Sequence, residues 1–303
     1  GRPFGVSLRT PPRASALEPL PPLLYEPLVR AALLEDLGIA GDLTSEATIP
    51  RGPIARAALV AREPGVLAGL EAALLAFTLL DPSLEVARLK CDGERVRAGQ
   101  ACASLAGDAR ALLSAERTAL NLLGRLSGIA TATAAAVAAA GGACAIVETR
   151  KTTPGLRALE KYAVRAGGGA NHRLRLDDAI LIKDNHVALA GGVRPALERA
   201  RARAGHLVKV QIEVDTPAQL DEVLGCGDLA DAVLLDNFEL DGLREAVRRV
   251  AGRLIVEASG RMSLERVAAA AAAGVDVISI GALTHSVAVL DIGLDVVENE
   301  LPA

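Results

Sequence analysis

The sequence predicts an α/β chain in which a small α+β unit precedes a parallel sheet rolled into a (β/α) barrel. Three observations carry this. From Ala145 onward, short apolar runs alternate with helical segments, the rhythm of successive βα units. The runs are continuously apolar, as strands covered on both faces must be. None is followed by a G-x-G-x-x-G turn, which favours a barrel over an open dinucleotide-binding sheet.

The elements follow in order. Tyr25 to Leu37 reads as an amphipathic helix stopped by Gly38. GDLTSEATIP reads as a loop with a turn, and RAALVAREPGVLAG as two short strands around Glu-Pro-Gly. LEAALLAFTLL is a helix. LEVARLKCDGERVRAGQACASLAG alternates and turns at Asp-Gly, as an antiparallel hairpin does. A long helix over 108–126 places Leu112, Leu113, Ala119, Leu120, Leu123 and Leu126 on one stripe. Glu116 falls inside that stripe and needs a structural ion pair, because an unpaired carboxylate there is costly. Arg117 stands at its edge, able to point into a site. The barrel strands are AIVETR, AILIKD, VKVQIEV, AVLLDN, LIVEASG and VDVISIG, with helices such as LRALEKYAVRAG and PAQLDEVLG between them.

Composition limits the function. Net charge is -4 and charged residues make up 23% of the chain, so general nucleic-acid binding is excluded and any basic site is local. The four cysteines, Cys91, Cys102, Cys144 and Cys226, form no C-x-x-C pair and lie near no histidine. They read as buried free thiols of the reducing cytoplasm. ATATAAAVAAAGGACAIV is too broken by Ala and Gly to read as a membrane span. GRPFGVSLRTPPRASALEPLPP has no signal-peptide core and reads as a disordered or extended lead-in.

Against this acidic background, eight of the 33 Lys and Arg residues and two of the four His lie between Glu148 and His186. Three of the five lysines, Lys151, Lys161 and Lys183, are among them. A solvated face would carry its charges on helices. Here Arg150, Lys183, Glu213, Asp236, Ser259 and Gly281 stand at or beside the ends of the six apolar runs, where a barrel opens its mouth. Arg150, Arg173, Lys183 and His172 are candidate ligands for a small polyanion, since a guanidinium grips carboxylate or phosphate through two parallel bonds. Glu213 and Asp236 close successive strands and are candidates to share one oxygen-ligated cation, with Mg²⁺ the best fit. ASG, with Ser259 and Gly260, and IGALTHS, with Gly281, have the small residues and helix starts of phosphate cradles. The chemistry is group transfer from an activated phosphate ester to a carboxylated acceptor.

TRKTTPGLR, EKYAVRAGGGANHR and IKDNH together closely resemble the quinolinate phosphoribosyltransferase family. EDLGIAGDLTS, GVLAG, DGERVRAGQ, LLSAERTALNLLGRLSGIAT, LLDNF, EASG and GALTHSVAVLDIGL resemble it in the same order, from about Glu26 to Leu294. The resemblance implies an N-terminal α/β sandwich domain plus an incomplete (β/α) TIM-like barrel. It would divide the chain into a lead-in over 1–20, a sandwich over 21–126 joined by the tail 287–303, and a barrel over 127–286. It implies a homodimer in which Arg117 reaches the partner's site. It implies transfer of ribosyl 5-phosphate from phosphoribosyl pyrophosphate to the ring nitrogen of quinolinate, with decarboxylation, in NAD biosynthesis. Under it, Arg150, His172, Arg173 and Lys183 bind the quinolinate carboxylates, and Lys151 faces the donor pyrophosphate. Glu213 and Asp236 hold Mg²⁺ and the ribose, and Ser259, Gly260, Gly281 and His285 hold the 5′-phosphate. Two positions depart from the family pattern: Arg175, and Arg261, which strains the phosphate loop if it must take positive φ. The same scaffold acting on another base is an alternative. A Schiff-base aldolase using Lys183 is a second one. A carrier domain built on DGERVRAGQ is weakened by the lack of a Lys at the turn.

Overall fold

The computed structural model describes residues 17–297, so most of the expected lead-in lies outside the described residues. In chain order the elements are α1 (Glu26–Leu37), α2 (Leu43–Thr48), β1 (Ile54–Ala61), β2 (Gly65–Val66), α3 (Leu70–Leu80), β3 (Glu85–Arg88), β4 (Arg95–Val96), β5 (Ala101–Asp108) and α4 (Ala109–Ala140). They continue as β6 (Ala145–Val147), α5 (Arg157–Ala166), β7 (Ile180–Ile182), α6 (Asp184–Ala190), α7 (Val193–Arg203), β8 (Val210–Val214) and α8 (Pro217–Leu224). The last are β9 (Ala232–Asp236), α9 (Leu240–Val250), β10 (Ile255–Ser259), α10 (Leu264–Ala272), β11 (Val277–Ser279), α11 (Ala282–His285) and β12 (Ile292–Val297). The described residues form two units, one of 17–134, 152–168 and 283–297, the other of 135–151 and 169–282.

The first unit carries an antiparallel sheet in the order β12-β1-β5-β3, and β2 and β4 pair separately. This unit departs from expectation at four places. The segment read as a loop holds α2, because the Asp42 carboxylate accepts the Ser45 N–H and caps a helix start. The Asp-Gly turn does not close a β3–β4 hairpin. β3 pairs with β5 instead, and the Asp92 carboxylate accepts the Gly69 and Leu70 N–H groups at the start of α3. The long helix runs on to Ala140. Its stripe is as expected, with Leu112, Ala119, Leu123 and Leu126 buried. Glu116, however, is only half-buried and makes no ion pair with a described residue. By length and composition α4 is apolar enough to cross a membrane, but half of its apolar window is buried inside the protein.

α4 also takes the tail of this unit against its backbone. Gly124 and Gly128, one turn apart, face the Leu290 and Ala288 carbonyl oxygens, and the Leu290 N–H donates to the Gly124 carbonyl at 2.9 Å. A Cβ on Gly128 would fall on the Ala288 oxygen. Gly128→Ala is therefore expected to destabilise the protein despite alanine's better helix propensity, by about 1–3 kcal/mol of overpacking. A lowered Tm in thermal unfolding monitored by circular dichroism checks this.

The second unit is a parallel sheet in the order β6-β11-β10-β9-β8-β7. Its first strand lies beside its last, so the sheet curls around and leaves its one gap between β6 and β7. A bridge from Val147 to Ala170 extends the β6 side of that gap. Sequential order with a single opening is what an incomplete barrel requires. Val210, Ile212, Val214, Val233, Leu235, Val256, Ala258 and Ile278 are buried, consistent with helices covering the sheet. Thr216 and Gln219 cap α8 reciprocally, and Ser263 caps α10. Each starts its helix directly beyond a strand end, so functional residues sit on short, braced loops.

Candidate active site

Parallel strands put all their C-terminal ends on one edge, and the predicted residues of the second unit gather there. Asp236 ends β9 and lies opposite Ser259, which ends β10. Glu213 is on β8, Lys183 directly follows β7, and Arg150 and Gly281 follow β6 and β11.

One half of the site is acidic. Carboxylate oxygens of Glu213, Asp236 and Asp215 lie within 4.8 Å of one another. Burial raises the Glu213 carboxyl above its ordinary value, with Asp236 and Asp215 adding and Lys183 opposing. Burial raises Asp236 too, with Asp215 adding and Lys183 and Lys151 opposing. Glu213 and Asp236, two carboxyls that resist ionising beside a third at Asp215, fit a hard divalent cation, which would relieve the repulsion. Asp215 was not among the predicted residues. Its signal is in EVD: two residues beyond Glu213 on a strand, it returns to the same face. The Lys183 ammonium lies 3.4 Å from Glu213 and is about half exposed. A Schiff-base lysine must be desolvated and neutral, so this pairing argues against the aldolase alternative.

The other half is basic. Arg150 makes no hydrogen bond or ion pair with a described residue, and its Nε is fully buried. Burial, reinforced by the nearby Arg150 charge, lowers the Arg173 pKa from its ordinary value. One Arg173 terminal nitrogen donates to the Ala179 carbonyl at 3.0 Å. Two guanidiniums facing each other with so little compensation define a place for an anion.

Behind them lies a network the sequence reading missed. Glu148, fully buried, accepts the His172 N–H at 3.1 Å and the Asn171 amide at 2.9 Å. His172 Nε2 is 3.4 Å from Glu257. Glu257 also accepts from Gln211 at 2.8 Å. The available signal was a glutamate inside each of two apolar strand runs, ETR and EAS. Burial would push the Glu257 carboxyl up, but hydrogen bonds from His172 and Gln211 outweigh it and hold the group below its ordinary value.

The ends of β9 and β10 are locked together. Asn237 takes a left-handed φ of 53°, donates its N–H to the Ser259 carbonyl and its amide to Asp236. Gly260 has φ 131°, and a Cβ there would sit 2.6 Å from the Asn237 amide oxygen. The strain expected of Arg261 is thus absent, because Gly260 takes the positive φ and Arg261 does not. Arg175 anchors only its backbone, donating its N–H to Asp178 from an exposed loop. Arg117 and His285 belong to the first unit, and both are exposed. Arg117 makes no hydrogen bond or ion pair with a described residue, whereas His285 Nδ1 lies 2.6 Å from the Ser286 hydroxyl. Cys91 is exposed, against expectation, while Cys102, Cys144 and Cys226 are buried and all four are free. Burial pushes the Cys144 thiol up to about 11.

Comparison with known proteins agrees with this layout. The quinolinate phosphoribosyl transferase N-terminal domain family matches residues 42–127, and its C-terminal domain family matches 129–295. Nicotinate-nucleotide pyrophosphorylase (carboxylating) of Mycobacterium leprae (strain TN) is 49% identical over 276 residues, covering 88% of this chain and 95% of that protein. The probable enzyme of the same name from Bacillus subtilis (strain 168) is 45% identical over 275 residues, 90% of this chain and 94% of that protein. The crystal structure of NadC from Streptococcus pyogenes superposes with a TM-score of 0.87 at 39% identity, over 93% of this chain and 100% of that chain. Both domain families, in order and over most of the sequence, place the chain in the quinolinate phosphoribosyl transferase family.

Proposed function

We propose that this chain transfers ribosyl 5-phosphate from phosphoribosyl pyrophosphate to the ring nitrogen of quinolinate. It releases pyrophosphate and CO₂ and yields nicotinate mononucleotide for NAD biosynthesis. The observation that carries the acceptor is the half-buried Arg150–Arg173 pair, two like charges that only Asp178 offsets in part and that form no ion pair with a described carboxylate. A pyridine with adjacent carboxylates supplies the missing charge in one rigid plane.

In this reading Arg150, His172, Arg173 and Lys183 hold the acceptor carboxylates, and Lys183 also approaches Glu213 of the acidic cluster. Glu213 and Asp236, with Asp215 beside them, would hold Mg²⁺ and the ribose hydroxyls, and the cation would supply charge neutralisation for the leaving pyrophosphate. Lys151, close enough to pull the Asp236 carboxyl down, stabilises the leaving pyrophosphate. Ser259, Gly260, Gly281 and His285 receive the 5′-phosphate. The C1–O bond breaks and its electron pair leaves with pyrophosphate, while the ring nitrogen's lone pair forms the C1–N bond. Clamping the acceptor in a fixed pose replaces the entropy cost of that encounter. The ring, now cationic, loses the adjacent carboxylate as CO₂, and the electron pair left on carbon takes a proton. The protein would act as a homodimer in the cytoplasm, with Arg117 supplied across the interface. Its exposure, with no hydrogen-bond or ion-pair partner among the described residues, supports that placement.

The test is direct. Purified protein is incubated with quinolinate, phosphoribosyl pyrophosphate and Mg²⁺, with nicotinate as the comparison acceptor. Nicotinate mononucleotide and CO₂ from quinolinate alone, lost on chelation and restored by Mg²⁺, are the expected result. Turnover with nicotinate or another base but not quinolinate would overturn the acceptor assignment.

A further inference from the structure

We infer that the Arg125–Glu160 pair is a strut between the two chain segments that carry donor-binding residues, which makes Arg125 a positioning residue for the donor. This deepens the proposed function and rests on its assignment of Lys151 and His285 to the donor's pyrophosphate and 5′-phosphate.

The pair joins α4 to α5. Glu160 lies in the first turn of α5 and is fully buried. A carboxylate there is costly unless it is satisfied, and both of its oxygens are. One accepts the Arg125 Nε at 3.3 Å and Nη2 at 2.9 Å. The other accepts the Thr153 backbone N–H at 3.1 Å. The Arg125 Nη2 also donates to the Thr284 backbone carbonyl, with the Thr153 hydroxyl 3.4 Å away. One guanidinium and one carboxylate thus grip two stretches of main chain that are far apart in sequence. Arg125, Glu160, Thr153 and Thr284 all belong to the first unit.

The place of those stretches gives the pair its meaning. Thr153 comes two residues after Lys151, and Thr284 directly precedes His285. The chain beyond Thr284 is fastened to α4 a second time, by the Leu290 N–H on the carbonyl of Gly124, the residue before Arg125. Stability alone is a weak reason for such a pair, since apolar residues of similar volume often serve a core as well as a buried ion pair does. What arginine and glutamate add is a directional hold on two backbone groups at once. A donor with a phosphate group at each end of one ribose needs the segments that receive those ends to be held in place before it binds.

Conservative variants of the full-length protein test this. Arg125→Lys keeps a charge opposite Glu160 but cannot fork to Glu160 and Thr284 together. Glu160→Gln offers one acceptor oxygen in place of two, so Arg125 and Thr153 cannot both be satisfied. Both keep the side-chain length, and either alone suffices for the test. Amide hydrogen exchange is expected to quicken by about tenfold or more over 283–290 in Arg125→Lys and over 152–156 in Glu160→Gln, with the strands of the second unit unchanged. In both variants kcat/KM for phosphoribosyl pyrophosphate is expected to fall by about tenfold or more, while KM for the acceptor stays within about twofold. Unchanged exchange over both segments would overturn the link itself, whichever base the protein turns over. Quickened exchange with kcat/KM for phosphoribosyl pyrophosphate unchanged, or with both KM values raised alike and a lowered Tm, would make the pair merely structural and overturn the positioning role.

Discussion

Asp236→Asn is expected to lower turnover by about 10²–10³-fold, the usual cost of removing a pre-organised electrostatic group from a phosphoryl-rich site. In metal-free protein the same substitution is expected to raise thermal stability at neutral pH. The sign follows from the raised carboxyl. A group whose folded pKa lies above its unfolded value contributes stability below the unfolded pKa, and loses it as pH rises through the folded one. Asp236 is pushed up by burial and by Asp215, so its ionised form opposes folding at pH 7. Asparagine removes that opposition. The gain in Tm should shrink on acidification toward pH ~4, where the unfolded aspartate also takes up its proton. Calorimetry of both proteins in chelator across that range checks it. A variant less stable than the parent at pH 7 would mean the acidic cluster is not strained, removing the main physical reason to place a divalent cation there.

Arg150→Ala should lower kcat/KM for quinolinate by about 30- to several-thousand-fold, from the roughly 2–5 kcal/mol lost when one partner of a buried charge pair is truncated. Arg150→Lys should recover little, because an ammonium cannot match a planar carboxylate through two parallel bonds. KM for phosphoribosyl pyrophosphate should hardly move. The ligand-free Arg150→Ala protein should be no less stable than the parent, since Arg150 forms no hydrogen bond with a described residue and its charge opposes Arg173. Steady-state kinetics with each substrate varied in turn, alongside thermal unfolding, distinguishes this from a structural role, which would lower Tm and raise both KM values.

Both predictions rest on residues legible before any coordinates. Arg150 and Asp236 stand at the ends of apolar runs, and a parallel sheet can deliver those ends only to one edge. Their neighbours were harder to read. Asp215 drew no sequence assignment, and only its approach to Glu213 and Asp236 makes it part of the cluster. Glu148 and Glu257 sit inside apolar runs, and their purpose emerges only when His172 and Asn171, from another part of the chain, are brought against them.

Most element types, the strand ends of the second unit and the family were legible in the sequence, because periodicity and motifs are written within a few residues; α2, read as a loop, was not. The tertiary structure alone decided the pairings. β3 passes over β4 to join β5, and β12 returns from the C-terminal end to complete the sheet at β1. It alone decided that the Asp-Gly turn would use its carboxylate to cap α3, that Arg150 would have no hydrogen-bond or ion-pair partner among the described residues, and that both His172 nitrogens would face protein groups. The physical reason is common to all of these. A strand or a charge carries its needs in its own residue, but what meets those needs lies tens to hundreds of residues away and is selected only when the chain packs.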